Sequence, residues 1–303
     1  MFSDSLYEDL SRRDFTINAM AIDLYNSNII DPYNGRSDLE NKLIRTVGIP
    51  EERFREDGLR ILRAIRFKFK LGFDMEKNAY KAILNNWNLL DHVSQERITS
   101  EFLQILEYID IRSQQDTLLM DGLIKCLIPT AWYKNDYDNN FWYYEALRGL
   151  RDTECKVAYL FRDAKTSPEI LCKKLKFSNA FSGSVIKTLQ ALELLVELHM
   201  KSVEKDYMAR KLVSKYGIYN ALRALDLFRD EYCMPIQDYY DLYELIIDAV
   251  NKPVTLKDLA INGYDLINYG YEGKVIGEML NDLLEIVLED PEKNKKSILR
   301  EML

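Results

Sequence analysis

The sequence predicts a mainly α-helical protein with a small β element near its N-terminus. Apolar residues recur at spacings of three and four along most of the chain after residue 35, and this is the period of an amphipathic helix. The stretch 15–30, FTINAMAIDLYNSNII, instead has β-branched and aromatic residues on both sides of Asn26-Ser27-Asn28. That pattern is typical of a β-hairpin.

Length and composition indicate an ordinary globular protein. The 303 residues are enough for about two domains. Apolar residues make up 47% and charged residues 30%, and no uninterrupted apolar run of about 18 residues suggests a membrane span. The first ten residues lack the basic and apolar regions of a signal peptide, so the predicted location is the cytoplasm. Four cysteines without C-x-x-C spacing and two histidines predict neither a disulfide framework nor a zinc site.

The predicted elements follow in chain order. After the hairpin and the turn cluster DPYNG, helical spacing appears in SDLENKLIRTV, ERITSEFLQILEYI, SGSVIKTLQALELLVELHM and YYDLYELIIDAV. We expect breaks near Gly48-Ile49-Pro50, within YKNDYDNN at 133–140, and at Asn251-Lys252-Pro253. A lone hairpin is marginally stable in water and has open edges, so we expect either that a sheet has been cut short or that another chain completes it.

The segment REDGLRILRAIRF at 55–67 is the electrostatic exception in an acidic chain. The net charge is −8, yet residues 53–70 contain seven cations and two anions. A single helix over 54–70 would present one apolar arc to the core, formed by Gly58, Ile61, Leu62, Ile65 and Phe69. The opposite arc would carry Arg60, Arg63 and Phe67, flanked by Glu56 and Asp57.

That polar arc suits a nucleotide. Guanidinium groups bind phosphate or a base edge, carboxylates accept hydrogen bonds from exocyclic amino groups, and aromatic rings stack. The alternative is a solvated helix with Glu–Arg pairs at three- and four-residue spacing, each worth a few tenths of a kcal/mol. Spacing alone favours this second interpretation.

Four successive motifs resemble those of class II tRNA nucleotidyltransferases, the bacterial CCA-adding enzymes and their poly(A) polymerase relatives. They are LSRRDFTINAMAID (10–23), IIDPYNGRSDLENKLIRTVG (29–48), FREDGLRILRAIRFKFKLGF (54–73) and ERITSEFL (96–103). The segment LKDLAINGYDLINYGYEGKVIGEMLNDLLEIVLEDPEKNKKSIL is similar to the tail domain of the CCA-adding branch. R-R-D-F-T-x-N-A followed by E-D-x-x-R-x-L-R-A-x-R-F is a specific order of motifs.

The resemblance implies the domain organisation. Residues 1–48 would be a remnant of a palm-like nucleotidyltransferase head, and residues 49–107 a neck with the nucleotide-templating helix. Residues 108–190 would form a helical body, and residues 191–303 a helical tail that binds tRNA. The fold expected from the family is therefore multi-helical with a small N-terminal β remnant.

The resemblance also implies a nucleotide-binding site. Its residues would be Arg13, Asp14, Asn18, Glu56, Asp57, Arg60, Arg63 and Arg66. Arg13 would contact the incoming nucleotide, Asp14 and Asn18 would shape the same pocket, and Arg63 and Arg66 would line it. Asp57 and Arg60 would form an amino-acid template for the base of CTP or ATP, with Glu56 supporting Arg60.

Hydrogen-bond pattern would supply the selectivity of this template. Cytosine and adenine each present an amino donor beside a ring-nitrogen acceptor, which an Asp acceptor and an Arg donor match. Uracil and guanine present a carbonyl where the amino group is required. A site that leaves buried polar groups unpaired rejects the wrong base strongly.

The implied function is addition of C, C and A to tRNA 3′ ends, with tRNA, CTP and ATP as partners and Mg²⁺ as cofactor. Family members hold Mg²⁺ with carboxylates of a G-G-x-x-R-D and D-x-D segment upstream of R-R-D-F-T, and neither precedes that motif here. We therefore expect no catalytic or metal-ligating residue in this sequence and an inactive chain by itself, with Mg²⁺ supplied either by a missing segment or by a separate polypeptide that is a partner. A truncated gene, a split gene and a misassigned start remain open, as does the oligomeric state.

Two other functions stay open at this point. One is a noncatalytic remnant that binds tRNA or a nucleotide, and the other is a poly(A) polymerase relative that adds A only. Among residues outside the predicted site, Asp31, Asn34, Gly35 and Asp38 of DPYNGRSD are expected in turns and caps. Glu96 and Arg97 are expected at an exposed helix start, and the tyrosines of 239–243 and 264–271 in core or surface packing.

Overall fold

The computed structural model describes residues 6–128 and 137–303, with side chains described from residue 143 in the second range. The chain divides into two compact units, one of 1–156 with 160–178 and one of 157–159 with 179–303. Both are mainly helical, so the predicted fold class is confirmed. No described helix is long and apolar enough to cross a membrane.

The first unit contains the β elements and the shorter helices. Its helices are α1 (Leu6–Ser11), α2 (Gly35–Glu40), α3 (Pro50–Glu56), α4 (Leu59–Leu71), α5 (Lys77–Asn85), α6 (Gln95–Tyr108), α7 (Gln114–Leu127), α8 (Tyr137–Gly149), α9 (Thr153–Arg162, shared with the second unit) and α10 (Pro168–Lys174). Its strands are β1 (Ala21–Ile22), β2 (Ile29–Ile30), β3 (Leu43–Ile44) and β4 (Asp74–Met75), and Thr16–Asn18 and Trp87–His92 form 3₁₀ turns.

The second unit is helical throughout its described elements. They are α11 (Asn179–Met200), α12 (Lys205–Tyr216), α13 (Ile218–Glu231), α14 (Ile236–Asp248), α15 (Gly263–Asn268), α16 (Lys274–Glu289) and α17 (Lys296–Glu301), with 3₁₀ turns at Ala249–Asn251, Leu256–Asp258 and Pro291–Lys293. Arg210 on α12 is buried and donates from Nε to the Leu288 carbonyl of α16 at 2.7 Å. A cation at a helix C-terminus satisfies free carbonyls and opposes the helix dipole.

The predicted hairpin is present but shorter than expected. β1 and β2 are antiparallel, with Ala21 opposite Ile30. The turn between them closes through Ser27, whose φ of 58° is left-handed. Thr16–Asn18 is a 3₁₀ turn instead of the first part of a strand.

The helix predicted over SDLENKLIRTV is wrong in its second half. α2 ends at Glu40, and Lys42 follows with a left-handed φ of 53°. Leu43 and Ile44 then form β3, parallel to β4. Two adjacent apolar residues are compatible with the period of a helix and with that of a strand. Leu43 and Ile44 form a strand because β4, about thirty residues later, pairs with them.

The single helix predicted over 54–70 is also wrong, because the chain breaks at Asp57-Gly58. α3 ends at Glu56, Asp57 is extended with φ −151° and ψ 104°, and α4 begins at Leu59. The Asp57 Oδ1 atom accepts from the backbone N–H of Leu59 at 3.1 Å, which starts the second helix. A Cβ atom at Gly58 would lie 2.5 Å from the Leu89 carbonyl oxygen, so only glycine allows this approach.

The apolar arc predicted for this segment is confirmed on α4. Ile61, Leu62, Ile65 and Phe69 are buried. They pack toward α6, whose buried residues include Phe102. The polar arc of α4 is therefore turned away from this core.

Predicted boundaries agree with the structure in part. Gly48 has a φ of 77° and precedes α3, and residues 252–255 separate the turn at 249–251 from the next. The break at 133–140 falls largely outside the described residues. The four-domain division stays a prediction, and its boundary at residue 190 falls within α11.

We expect Gly58→Ala to lower the free energy of unfolding of the first unit by about 1–3 kcal/mol, because the added methyl group overpacks the contact with Leu89. Gly149→Ala is the matched control, since a Cβ atom there meets nothing within 4 Å. Urea unfolding followed by tryptophan fluorescence measures this, since all three tryptophans precede residue 157. Equal stability of the two variants would contradict the close approach.

Candidate nucleotide-binding site

A polar cleft of about 580 Å³ lies in the first unit. Its lining residues are Asp9, Arg13, Asp14, Asn18, Asp57, Leu59, Arg60, Arg63 and Arg97. Six of the eight residues predicted for the site are among them. The chain segments that supply them are α1 with the R-R-D-F-T-x-N motif, the junction of α3 with α4 and the first two turns of α4, and the first turn of α6.

The R-R-D-F-T-x-N segment forms one wall as a compact turn. Asp14 Oδ1 accepts from the backbone N–H of Phe15 at 2.9 Å and from Asn18 Nδ2 at 3.3 Å. Arg13 donates from Nη1 to the Asn18 carbonyl at 3.1 Å and from Nη2 to Asp9 Oδ2 at 2.9 Å. The predicted pocket residues Arg13, Asp14 and Asn18 are thus brought together by hydrogen bonds within one turn.

Hydrogen bonds connect this wall to residues 38–47, which follow the hairpin in sequence. The Thr16 N–H donates to the Arg45 carbonyl at 3.0 Å, and the Val47 N–H donates to the Asp14 carbonyl at 3.1 Å. Thr16 Oγ1 also donates to the buried Asp38 at 2.7 Å. Asp38 therefore supports the wall from behind, beyond the capping role expected from the sequence.

The cap expected in DPYNGRSD is present. Asp31 accepts from the N–H groups of Gly35 at 2.7 Å and Arg36 at 2.9 Å. A Cβ atom at Gly35 would lie 2.3 Å from the Thr16 carbonyl oxygen. Glycine is therefore required there by the same wall.

Asp57 and Arg60, three positions apart, both line the cleft. The Arg60 N–H donates to the Asp57 carbonyl at 3.0 Å, whereas their side chains bond other groups. Arg60 donates to Glu56 Oε2 at 2.8 Å, to the Arg53 carbonyl at 3.1 Å and to the Arg12 carbonyl at 2.9 Å. Its side chain is 15% exposed. These bonds leave Nε and one Nη2 hydrogen without a partner among the described residues, because a guanidinium has five N–H donors.

Arg63 joins α4 to the first wall. Its Nε and Nη2 both lie 2.6 Å from Asp14 Oδ2. Two charge-assisted hydrogen bonds from one guanidinium restrict its orientation and also add interaction energy. The first wall and α4 are therefore held together by an ion pair at the edge of the cleft.

Arg66, predicted to line the site, does not line the cleft. It is 8% exposed, and its Nε lies 2.6 Å from Oε2 of the buried Glu101 on α6. Its guanidinium also lies 4.4 Å from the Phe67 ring centroid. Three residues after Arg63, the helix has turned by about 60° from that direction, toward α6.

Phe67 is likewise outside the cleft lining. Its ring packs edge-on against Phe15, with centroids 5.6 Å apart. The aromatic face that the sequence offered for base stacking is used instead to pack α4 against the R-R-D-F-T segment.

Arg97 is the cleft residue for which sequence reasoning expected only an exposed helix start. Its Nη2 donates to Asp57 Oδ2 at 2.8 Å. The sequence did contain evidence for a role of Arg97 in the site, because Arg97 belongs to ERITSEFL, one of the four motifs in the series. Its neighbour Glu96 accepts from Lys176 at 2.6 Å, and this hydrogen bond lowers the pKa of Glu96.

Three family models match successive parts of the chain. The Poly A polymerase head domain matches residues 1–45, a region described as "Probable RNA and SrmB- binding site of polymerase A" matches 72–134, and a tRNA nucleotidyltransferase domain 2 matches 153–303. Individual relatives are similar to the whole chain, including the residues between these three matches. A CCA-adding enzyme of Bacillus velezensis is 33% identical over 100% of this chain and 74% of its own length.

The chain belongs to the CCA-adding enzyme family of tRNA nucleotidyltransferases. A second member, from Lacticaseibacillus paracasei, is 31% identical over 95% of the chain and 68% of its own length. Solved structures of the family agree. The Bacillus stearothermophilus CCA-adding enzyme in complex with CTP is 28% identical with a TM-score of 0.75, over 100% of this chain and 75% of that one.

Two further members extend the comparison. A complex of a CCA-adding enzyme with ATP is 25% identical with a TM-score of 0.69, over 98% of this chain and 71% of the other. The Thermotoga maritima CCA-adding enzyme complexed with tRNA is 24% identical with a TM-score of 0.67, over 98% and 73% of the two chains. At that identity the last comparison supports the fold alone.

We expect Glu101→Gln to lower the free energy of unfolding by about 3 kcal/mol, because it leaves the buried Arg66 without a counter-charge. Combining it with Arg66→Met should cost less than the sum of the two single changes. A double-mutant cycle by urea unfolding measures the coupling. Additive effects would mean that the pair does not hold α4 on α6.

Proposed function

We propose that the cleft binds CTP and ATP and that the protein uses them to add C, C and A to the 3′ end of tRNA. The observation that supports this best is the placement of Asp57 and Arg60 on one cleft together with Arg13 and Arg63. The CTP and ATP complexes of family members are consistent with it. The matched RNA-binding region and tRNA nucleotidyltransferase domain support tRNA as the acceptor.

Base selection falls to Asp57 and Arg60. The Asp57 carboxylate accepts from the amino group of cytosine or adenine, and the free N–H donors of Arg60 serve the adjacent ring nitrogen. Glu56 and the Arg53 and Arg12 carbonyls hold the Arg60 guanidinium in place before the base arrives. A donor held in advance loses little side-chain entropy on binding.

Phosphate binding is assigned to two further arginines of the cleft lining. The side chains of Arg13 and Arg63 are 47% and 33% exposed, and each already bonds an aspartate. A guanidinium fork matches two phosphate oxygens. The lining carries four arginines and three aspartates, which favours an anionic ligand over a cationic one.

The carboxylates that line the cleft are already paired with arginines. Each lining aspartate is bonded to a guanidinium, Asp9 to Arg13, Asp14 to Arg63 and Asp57 to Arg97. Within residues 6–128 and 137–303, no three carboxylate, histidine or cysteine side chains cluster in a way that could hold a metal ion. Mg²⁺ is bound by carboxylates together with substrate phosphates in such enzymes, so we assign it no ligand here. The cytoplasmic location also stays a prediction.

Arg60→Ala should weaken binding of both CTP and ATP at least tenfold, because it removes the donors to the ring nitrogen. Asp57→Asn should lower the preference for CTP over UTP, because an amide can donate to the uracil carbonyl as well as accept. Equilibrium titration of the full chain with CTP, ATP, UTP and GTP measures both effects.

Arg55→Ala is the matched control, since it removes the same charge from the same segment at an exposed position outside the cleft. Its affinities should equal those of the wild type. Unchanged CTP affinity in Arg60→Ala would contradict the template. Binding of ATP without CTP would favour a poly(A) polymerase relative.

Chelation of Mg²⁺ with EDTA should leave the ratio of CTP to UTP affinity unchanged, because Asp57 and Arg60 contact only the base. The same titrations with and without EDTA provide the measurement. A ratio that falls to one after chelation would show that a metal ion takes part in base selection.

A further inference from the structure

Arg97 has no explanation in the stability of its own helix. It is the third residue of α6, after Ser94 at the N-cap. A cation in the first turn opposes the helix dipole, which favours negative charge there. Its side chain is 53% exposed, so burial does not explain it either. A residue that breaks a local rule in this way marks a functional constraint elsewhere.

Its contact lies across the cleft. Nη2 of Arg97 donates to Asp57 Oδ2 at 2.8 Å, forty positions away in sequence. The other oxygen of the carboxylate, Oδ1, accepts from the Leu59 N–H at 3.1 Å. Each oxygen still has a lone pair, since a carboxylate offers about four acceptor positions. The two bonds define the plane of the carboxylate and leave an acceptor position on each oxygen.

The end of α6 that carries Arg97 is itself fixed by hydrogen bonds to other segments. Glu96 accepts from Lys176 at 2.6 Å, and Thr99 Oγ1 donates to the Leu175 carbonyl. Both contacts attach the first two turns of α6 to residues 175–176 of the same unit. Arg97 therefore reaches Asp57 from a fixed point.

We propose that Arg97 is a positioning residue that determines base specificity by orienting the Asp57 carboxylate as an acceptor toward the amino group of cytosine or adenine. This assignment rests on the proposed function. Without Arg97, Asp57 would be oriented by the Leu59 N–H alone and could turn its oxygens away from the base. Hydrogen-bond discrimination depends on such orientation, because a misdirected acceptor leaves the correct amino group unpaired as well.

The test compares nucleotide affinities of four full-length proteins: the wild type, Arg97→Met, Arg97→Lys and Arg55→Met. We expect Arg97→Met to reduce the ratio of CTP to UTP affinity about tenfold, the effect of one hydrogen bond to a charged group. Arg97→Lys keeps a charged donor and should recover part of the ratio. Arg55→Met should behave as the wild type, and thermal unfolding should show that Arg97→Met remains folded.

Each other outcome overturns the assignment. An equal loss of affinity for CTP, ATP, UTP and GTP would make Arg97 a general phosphate contact. A rise in CTP affinity would make it a competitor of the base for Asp57, and an unchanged ratio would mean that Asp57 is positioned without it. A wild-type chain with no preference among the nucleotides would instead refute the proposed function, and this assignment with it.

Discussion

The close approach of Gly58 to the Leu89 carbonyl is the constraint on which the cleft depends. It ends α3 and lets α4 start in a new direction, with Asp57 extended between them. In an unbroken helix the carboxylate of Asp57 would follow the helix surface. The break instead releases it to bond the Leu59 N–H and to face Arg97 on α6. The lack of a side chain at Gly58 thus determines where the Asp57 carboxylate, the hydrogen-bond acceptor of the site, lies.

Ion pairs between distant segments hold the rest of the cleft. Arg63 bonds Asp14, forty-nine positions earlier, and Arg66 bonds Glu101, thirty-five positions later. Burying such charges is costly, and the pairing offsets that cost only when the geometry is good. The benefit here is orientation, because α4 is held by the R-R-D-F-T wall on one side and by α6 on the other. Exposed pairs such as Glu8–Arg12 contribute little by comparison.

The arginine-rich segment therefore has two roles that its composition does not separate. Arg60 and Arg63 line the cleft, whereas Arg66 lies behind it as a structural partner of Glu101. The difference arises from helical rotation of about 100° per residue combined with the position of α6. The same reasoning explains Phe67, which packs on Phe15 and leaves the cleft without an aromatic wall among the described residues.

The sequence by itself determined the helical class, the hairpin, the family and six of the cleft residues, because periodicity and motif order are local properties of the chain. It also determined the buried face of α4, since that face follows from spacing alone. Only the tertiary structure decided that 54–70 is broken, that Leu43–Ile44 is a strand, and that Arg97 faces Asp57. Each of these depends on a partner far away in sequence, the Leu89 carbonyl, the strand Asp74–Met75 and the cleft itself. A contact between distant residues leaves no periodic trace in either segment, so spacing could not reveal it.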